Sequence, residues 1–93
     1  MAVIDIRGDI VGNDDKWIYD WFDMDATCPR DITDAINNAA EDEEIEVFIN
    51  SGGGSVMAGQ EMYSALKQKR NVTIIIQSMA GSAAGVVATV SYT

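Results

Sequence analysis

The sequence predicts an α/β fold built on a mainly parallel sheet, and three observations predict it. Two short runs rich in β-branched and apolar residues, Glu46-Val47-Phe48-Ile49 and Val72-Thr73-Ile74-Ile75-Ile76, each run straight into a small-residue turn and then a helical pattern. The second run is too uniformly apolar to be half exposed and too short for a buried helix, so it reads as a buried parallel strand. The order along the chain is strand, helical segments, strand, helix, strand, helix, the alternation expected of parallel strands joined by crossover helices.

Taken in order, Ala2-Val3-Ile4-Asp5-Ile6-Arg7-Gly8 sets Ile4 and Ile6 against charged neighbours, a strand ending near Gly8, and Val11-Gly12-Asn13-Asp14-Asp15 reads as a turn. Trp17, Ile18, Trp21 and Phe22 follow at helical spacing on one face. The plain reading is a helix docked on the body of the fold; the alternative is an exposed face used for subunit or partner contact. Cys28-Pro29 opens another helix, with proline where a first helical residue tolerates it and Ile32, Ala35, Ile36 and Ala39 as its inward stripe. Its early acids, Asp31 and Asp34, suit the positive end of a helix dipole.

Glu41-Asp42-Glu43-Glu44 reads as a solvated acidic turn, without the convergence a metal site needs. Ile45, Val47 and Ile49 then alternate with Glu46 and Phe48 in a strand that leads into Asn50-Ser51-Gly52-Gly53-Gly54-Ser55. A helix is predicted over residues 56–69, with Met57, Ala58, Met62, Ala65 and Leu66 as core positions and Lys67, Lys69 and Arg70 at its negative end. The methionines read as core filling. The last strand runs to Gln77, and Ser78-Met79-Ala80-Gly81-Ser82-Ala83-Ala84 turns into a final helix.

The 93 residues suit one domain, and 47% apolar content is ample for a core. The first 46 residues hold 14 acids against 3 bases, while the remainder holds 1 against 3. A net charge of −9 with no basic stripe excludes nucleic acid as an expected partner. No apolar run reaches membrane-spanning length, and the first residues carry no secretory signal pattern, so neither a membrane nor a secreted setting is expected. The lone Cys28 reads as a small buried side chain in a reducing, cytoplasmic environment.

Two junctions carry the chemistry. Three consecutive glycines between a strand and a helix allow close backbone approach and positive φ, either as a flexible connection or as a site where N–H groups face a ligand. Ser82, where the next strand hands over to a helix, reads either as a helix N-cap or as a nucleophile beside unpaired N–H donors. In series, the two units suggest an oxyanion hole paired with a serine.

The segment Ile49-Asn50-Ser51-Gly52-Gly53-Gly54-Ser55-Val56-Met57-Ala58-Gly59, followed by Met79-Ala80-Gly81-Ser82-Ala83-Ala84, resembles the proteolytic subunit of the Clp protease, most of all its phage and prophage-type relatives. The resemblance implies a Clp and crotonase-type fold of repeated ββα units. It makes Ser82 the catalytic nucleophile, the backbone N–H groups of Gly54 and Ala83 the oxyanion-hole donors, and Gly53 part of the supporting loop. It implies a peptide or unfolded-protein substrate, stacked homo-oligomeric rings, an ATP-driven unfoldase partner and no cofactor or metal. The usual motif has proline where this chain has Gly52.

The sequence contains no histidine. In the family the catalytic histidine and aspartate follow the serine helix, which implies that residues 1–93 are the N-terminal part of a peptidase domain, incomplete at the C-terminus and inactive alone. A crotonase-like acyl-CoA enzyme and a non-catalytic scaffold or binding module are the alternatives.

Overall fold

A computed structural model describes residues 1–81 and 83–89. Its elements in chain order are β1 (Ala2–Ile10), α1 (Lys16–Trp21), β2 (Ala26–Thr27), α2 (Pro29–Asn38), β3 (Ile45–Gly54), α3 (Val56–Lys67), β4 (Val72–Ala80) and α4 (Ala83–Ala88). The four strands form one sheet in the order β2-β1-β3-β4, and every pairing is parallel. This is the α/β, parallel-sheet class that the strand and helix alternation predicts.

The core lies on one face of the sheet. Ile4, Ile6 and Ile10 of β1 and Ile45, Val47 and Ile49 of β3 meet Ile32 of α2, Ala58, Met62 and Leu66 of α3, and Ala84, Val87 and Ala88 of α4. Parallel register explains the match: Ile4 faces Val47 and Ile6 faces Ile49, so the period-two alternation of both strands points the same way. Each fully buried isoleucine or leucine contributes about 1.5–3 kcal/mol relative to exposure. The helix α2 opens as its sequence suggests, with the Cys28 N–H donating to the Asp31 carboxylate at 3.0 Å and Pro29 as first helical residue.

Four expectations change. The strand β4 is parallel but not buried; it sits at the sheet edge among the described residues, and Ile76 is 50% exposed. A strand paired on one side only, with α4 covering little of its length, leaves apolar side chains in water however uniform the run. The aromatic segment does not dock on the body: Trp17, Trp21 and Phe22 are each about two-thirds exposed or more, because α2, α3 and α4 already occupy the covered face and α1 packs beside β2 instead.

Met57 is also no core residue. It is 75% exposed, one step off the Ala58, Met62 and Leu66 stripe, whereas Met62 is fully buried as expected. Finally, several bounds move. The strand β1 continues through Gly8 to Ile10, β3 continues through the glycines, β4 runs on to Ala80, and α3 stops at Lys67.

The pair Ala26–Thr27 is a strand that no sequence pattern announced. Thr27, 3% exposed, explains it: its Oγ1 accepts from the Arg7 N–H at 3.1 Å and donates to the Arg7 carbonyl at 3.0 Å. Cys28 is buried, and that burial pushes its thiol pKa up.

Candidate functional site: the glycine stretch and the turn before α4

The glycine run is not a flexible connection. The alternation that buries Ile45, Val47 and Ile49 carries on to Ser51 and Gly53, and the backbone stays paired with β1, Asp9 opposite Gly53 and Ile10 opposite Gly54. Gly53 and Gly54 have φ of 105° and 147°, conformations that side-chain-bearing residues seldom adopt. A Cβ on Gly54 would stand 2.3 Å from the Ile10 carbonyl oxygen, so this position admits glycine alone.

Ser51 holds the stretch in place. It is 2% exposed, its Oγ donates to the Gly8 carbonyl at 2.6 Å, and it accepts from the Gly53 N–H at 3.1 Å. Gly8 marks a bulge in the β1 ladder between Arg7 and Asp9, with φ of 68°. A Cβ there would lie 2.2 Å from the Asp25 carbonyl oxygen. One hydroxyl thus ties the bulge of β1 to the first positive-φ residue of β3.

After the glycines, the Ser55 N–H donates to the Ile10 carbonyl at 2.7 Å, and its Oγ caps α3 by accepting from the Ala58 N–H at 3.1 Å. The direction of the chain leaving Gly54 is therefore set at both ends.

The second junction is brought against the first. Register between β3 and β4 shifts from Ile49 opposite Ile76 to Ser51 opposite Ala80, two steps on β3 against four on β4. The Gly81 N–H then donates to the Ser51 carbonyl at 3.0 Å, and a Cβ on Gly81 would come within 3.0 Å of the Gly52 carbonyl oxygen. The Ala84 N–H donates to the Gly81 carbonyl at 2.9 Å as α4 begins at Ala83. Ser82 itself lies outside the described residues. Of the residues singled out by sequence, Gly53 and Gly54 are thus fixed on β3, Ala83 opens the helix that packs on β3, and the residue before Ser82 touches the glycine stretch.

A cleft of about 910 Å³ borders the glycines. Gly52, Gly53 and Gly54 line one wall, Ile18, Phe22 and Met24 the other, and Asp9 and Asp15 are among the remaining lining residues. Lys16 at the start of α1 has its ammonium 3.3 Å from Asp20 of the same helix and 3.7 Å from Asp31 of α2. Partial burial works to lower the Lys16 pKa, but the facing carboxylates of Asp31 and Asp20 outweigh it and raise the pKa overall.

Among the described residues no group of three His, Cys, Asp or Glu side chains gathers as a metal site, and no helix is long and apolar enough to cross a membrane.

Sequence reasoning passed over Ser51 and Gly8, and it named Ile18 and Phe22 only as part of an aromatic helical face, not as a wall beside the glycines. Ser51 had a signal, since it continues the odd-numbered inward positions of β3. Gly8 had none, because its constraint comes from Asp25, 17 residues away.

The architecture is that of an α/β protein whose parallel strands end together on a glycine stretch and a small-residue turn leading into a helix. A model of the Clp protease family matches residues 30–92, more than half of the chain, and the chain belongs to that family of serine peptidases. Among curated proteins, no sequence matches it.

Proposed function

We propose that the chain is the N-terminal part of a Clp-type serine endopeptidase domain in which Ser82 attacks a peptide carbonyl and the N–H groups of Gly54 and Ala83 hold the resulting oxyanion. The observation that carries this reading is the contact of the two junctions, the Gly81 N–H on the Ser51 carbonyl and Gly81 against Gly52. It sets the residue preceding Ser82 beside a glycine stretch whose backbone conformation is fixed from two sides. Preorganised N–H donors beside a nucleophile are the part of acyl-transfer chemistry that a backbone alone supplies.

The proton acceptor is a separate matter. A serine hydroxyl needs a base at neutral pH, and the 93 residues hold no histidine. In this proposal the base and its orienting carboxylate come from outside residues 1–93, and the 93-residue chain alone does not turn over peptides. Family membership supports a protein or peptide substrate and assembly into oligomeric rings. An ATP-driven unfoldase partner and a phage-type role are finer parts of the same proposal.

The test uses the product expressed from the gene, after sequencing the coding DNA downstream of Thr93. A fluorophosphonate probe labels the protein at Ser82, and Ser82→Ala abolishes both labelling and peptide hydrolysis. Hydrolysis that survives Ser82→Ala overturns the assignment, and retained activity on a thioester favours the acyl-CoA reading instead.

A further inference from the structure

We infer that the cleft between α1 and the glycine stretch of β3 seats an apolar side chain of an extended peptide, with Ile18, Phe22 and Met24 as the residues that select it. The identity of the occupant rests on the peptidase reading, while the cleft and its walls do not. At about 910 Å³, the cleft is within the usual range for ligand pockets, roughly 300–1,000 Å³. Its two walls are complementary in kind. One is glycine backbone, with no side chain to keep an extended chain at a distance; the other is three apolar side chains, 38% (Ile18), 66% (Phe22) and 54% (Met24) exposed, which gain when water is displaced.

Position favours a peptide over other apolar occupants. Gly52 borders the cleft and also lies against Gly81, so a chain running along the glycines passes from the apolar wall toward the residue before Ser82. The family match begins at residue 30, whereas Ile18, Phe22 and Met24 all precede it. The glycine wall therefore lies within the matched region and the apolar wall before it. Charge adds a second criterion. Asp9 and Asp15 line the cleft and no basic residue does among the described residues, so a basic neighbour to the apolar side chain is favoured over an acidic one.

The test measures binding of three capped, fluorescently labelled hexapeptides of glycine and serine carrying Leu-Lys, Ser-Lys or Leu-Glu at the centre. Anisotropy gives the affinities, and emission of Trp17 and Trp21, the two tryptophans of the chain and both on α1, reports where binding occurs. The Leu-Lys peptide binds at least about tenfold more tightly than Ser-Lys, the scale expected for one apolar group in a fitted pocket. The Leu-Glu peptide binds more weakly than Leu-Lys, and added salt narrows that gap.

In the double variant Ile18→Ser, Phe22→Ser, whose sites are exposed enough to spare folding, the preference for leucine falls to within about threefold. Equal affinity for leucine and serine peptides, or a preference untouched by the double variant, overturns the inference. So does a cleft closed by a second copy, seen as a concentration-dependent tryptophan shift without peptide together with a dimer in light scattering. Ser82→Ala separates the two readings. With labelling measured on the product expressed from the gene, leucine-selective binding without Ser82-dependent labelling sinks the peptidase reading alone, and Ser82-dependent labelling without leucine selectivity sinks the cleft alone.

Discussion

Ser51→Ala is the substitution that most directly probes how the glycine stretch is held. It deletes one oxygen that serves two partners, the Gly8 carbonyl at 2.6 Å and the Gly53 N–H at 3.1 Å, at a position 2% exposed. Two net hydrogen bonds are worth about 0.5–1.5 kcal/mol each, and a buried Gly53 N–H left without an acceptor adds a desolvation cost of about 1–3 kcal/mol. With partial relaxation, the expected loss is about 2–4 kcal/mol, a large share of the roughly 5–15 kcal/mol available to a domain of this kind. Urea unfolding followed by far-ultraviolet circular dichroism measures it, with the exposed Ser64→Ala as the control expected within about 0.5 kcal/mol of wild type. If Ser51→Ala unfolds at the same urea midpoint as Ser64→Ala, Ser51 holds nothing and the account of a preset glycine stretch fails.

Other outcomes follow from the same geometry. Gly54→Ala forces a Cβ to 2.3 Å from the Ile10 oxygen at φ 147°, so the β1–β3 end must separate; we expect a loss of more than about 3 kcal/mol, read as a thermal shift, and a variant as stable as wild type would contradict the pairing. Met62→Ala, at a fully buried site, costs about 2–5 kcal/mol, whereas Met57→Ala at 75% exposure stays within about 0.5 kcal/mol, and equal effects in denaturation would contradict the α3 stripe. The Cys28 thiol, raised chiefly by burial, stays protonated to higher pH in the folded chain than in the unfolded one. That difference stabilises the fold below the unfolded thiol pKa and fades as pH rises through the folded one, and iodoacetamide at pH 8 should modify native Cys28 far more slowly than urea-unfolded Cys28. Equal rates would place the thiol in solvent.

Much of the fold was legible because the core strands alternate without interruption. Ile45, Val47 and Ile49 announced β3, and Pro29 with Asp31 announced α2. The failures have a common cause: burial depends on what else covers a surface, which local pattern does not encode. The run of isoleucines in β4 was strong strand signal and weak evidence of burial, since edge position is a property of the whole sheet. The Trp17 and Phe22 spacing correctly gave a helix and said nothing of whether a free face remained for it. At the candidate site, the glycines and the small-residue turn could be read as two junctions, but their contact depends on a register shift in β4 that no residue type marks. The family motif supplied the roles proposed for Ser82, Gly54 and Ala83; the hydroxyl of Ser51, which sets the backbone there, had to be seen in three dimensions.

The parallel β1–β3 ladder has a consequence for how the chain emerges during translation. Ile4 finds its partner Val47 only 43 residues later, and nothing nearer in sequence pairs along most of β1. At roughly 5–20 residues per second, the nascent strand waits about 2–9 s with Ile4 and Ile6 unpaired. Asp5 and Arg7 alternate with those isoleucines. Charges so placed discourage neighbouring nascent chains from zipping onto an orphan strand. The polar half of β1 thus has its work during synthesis, before there is any sheet for the apolar half to join.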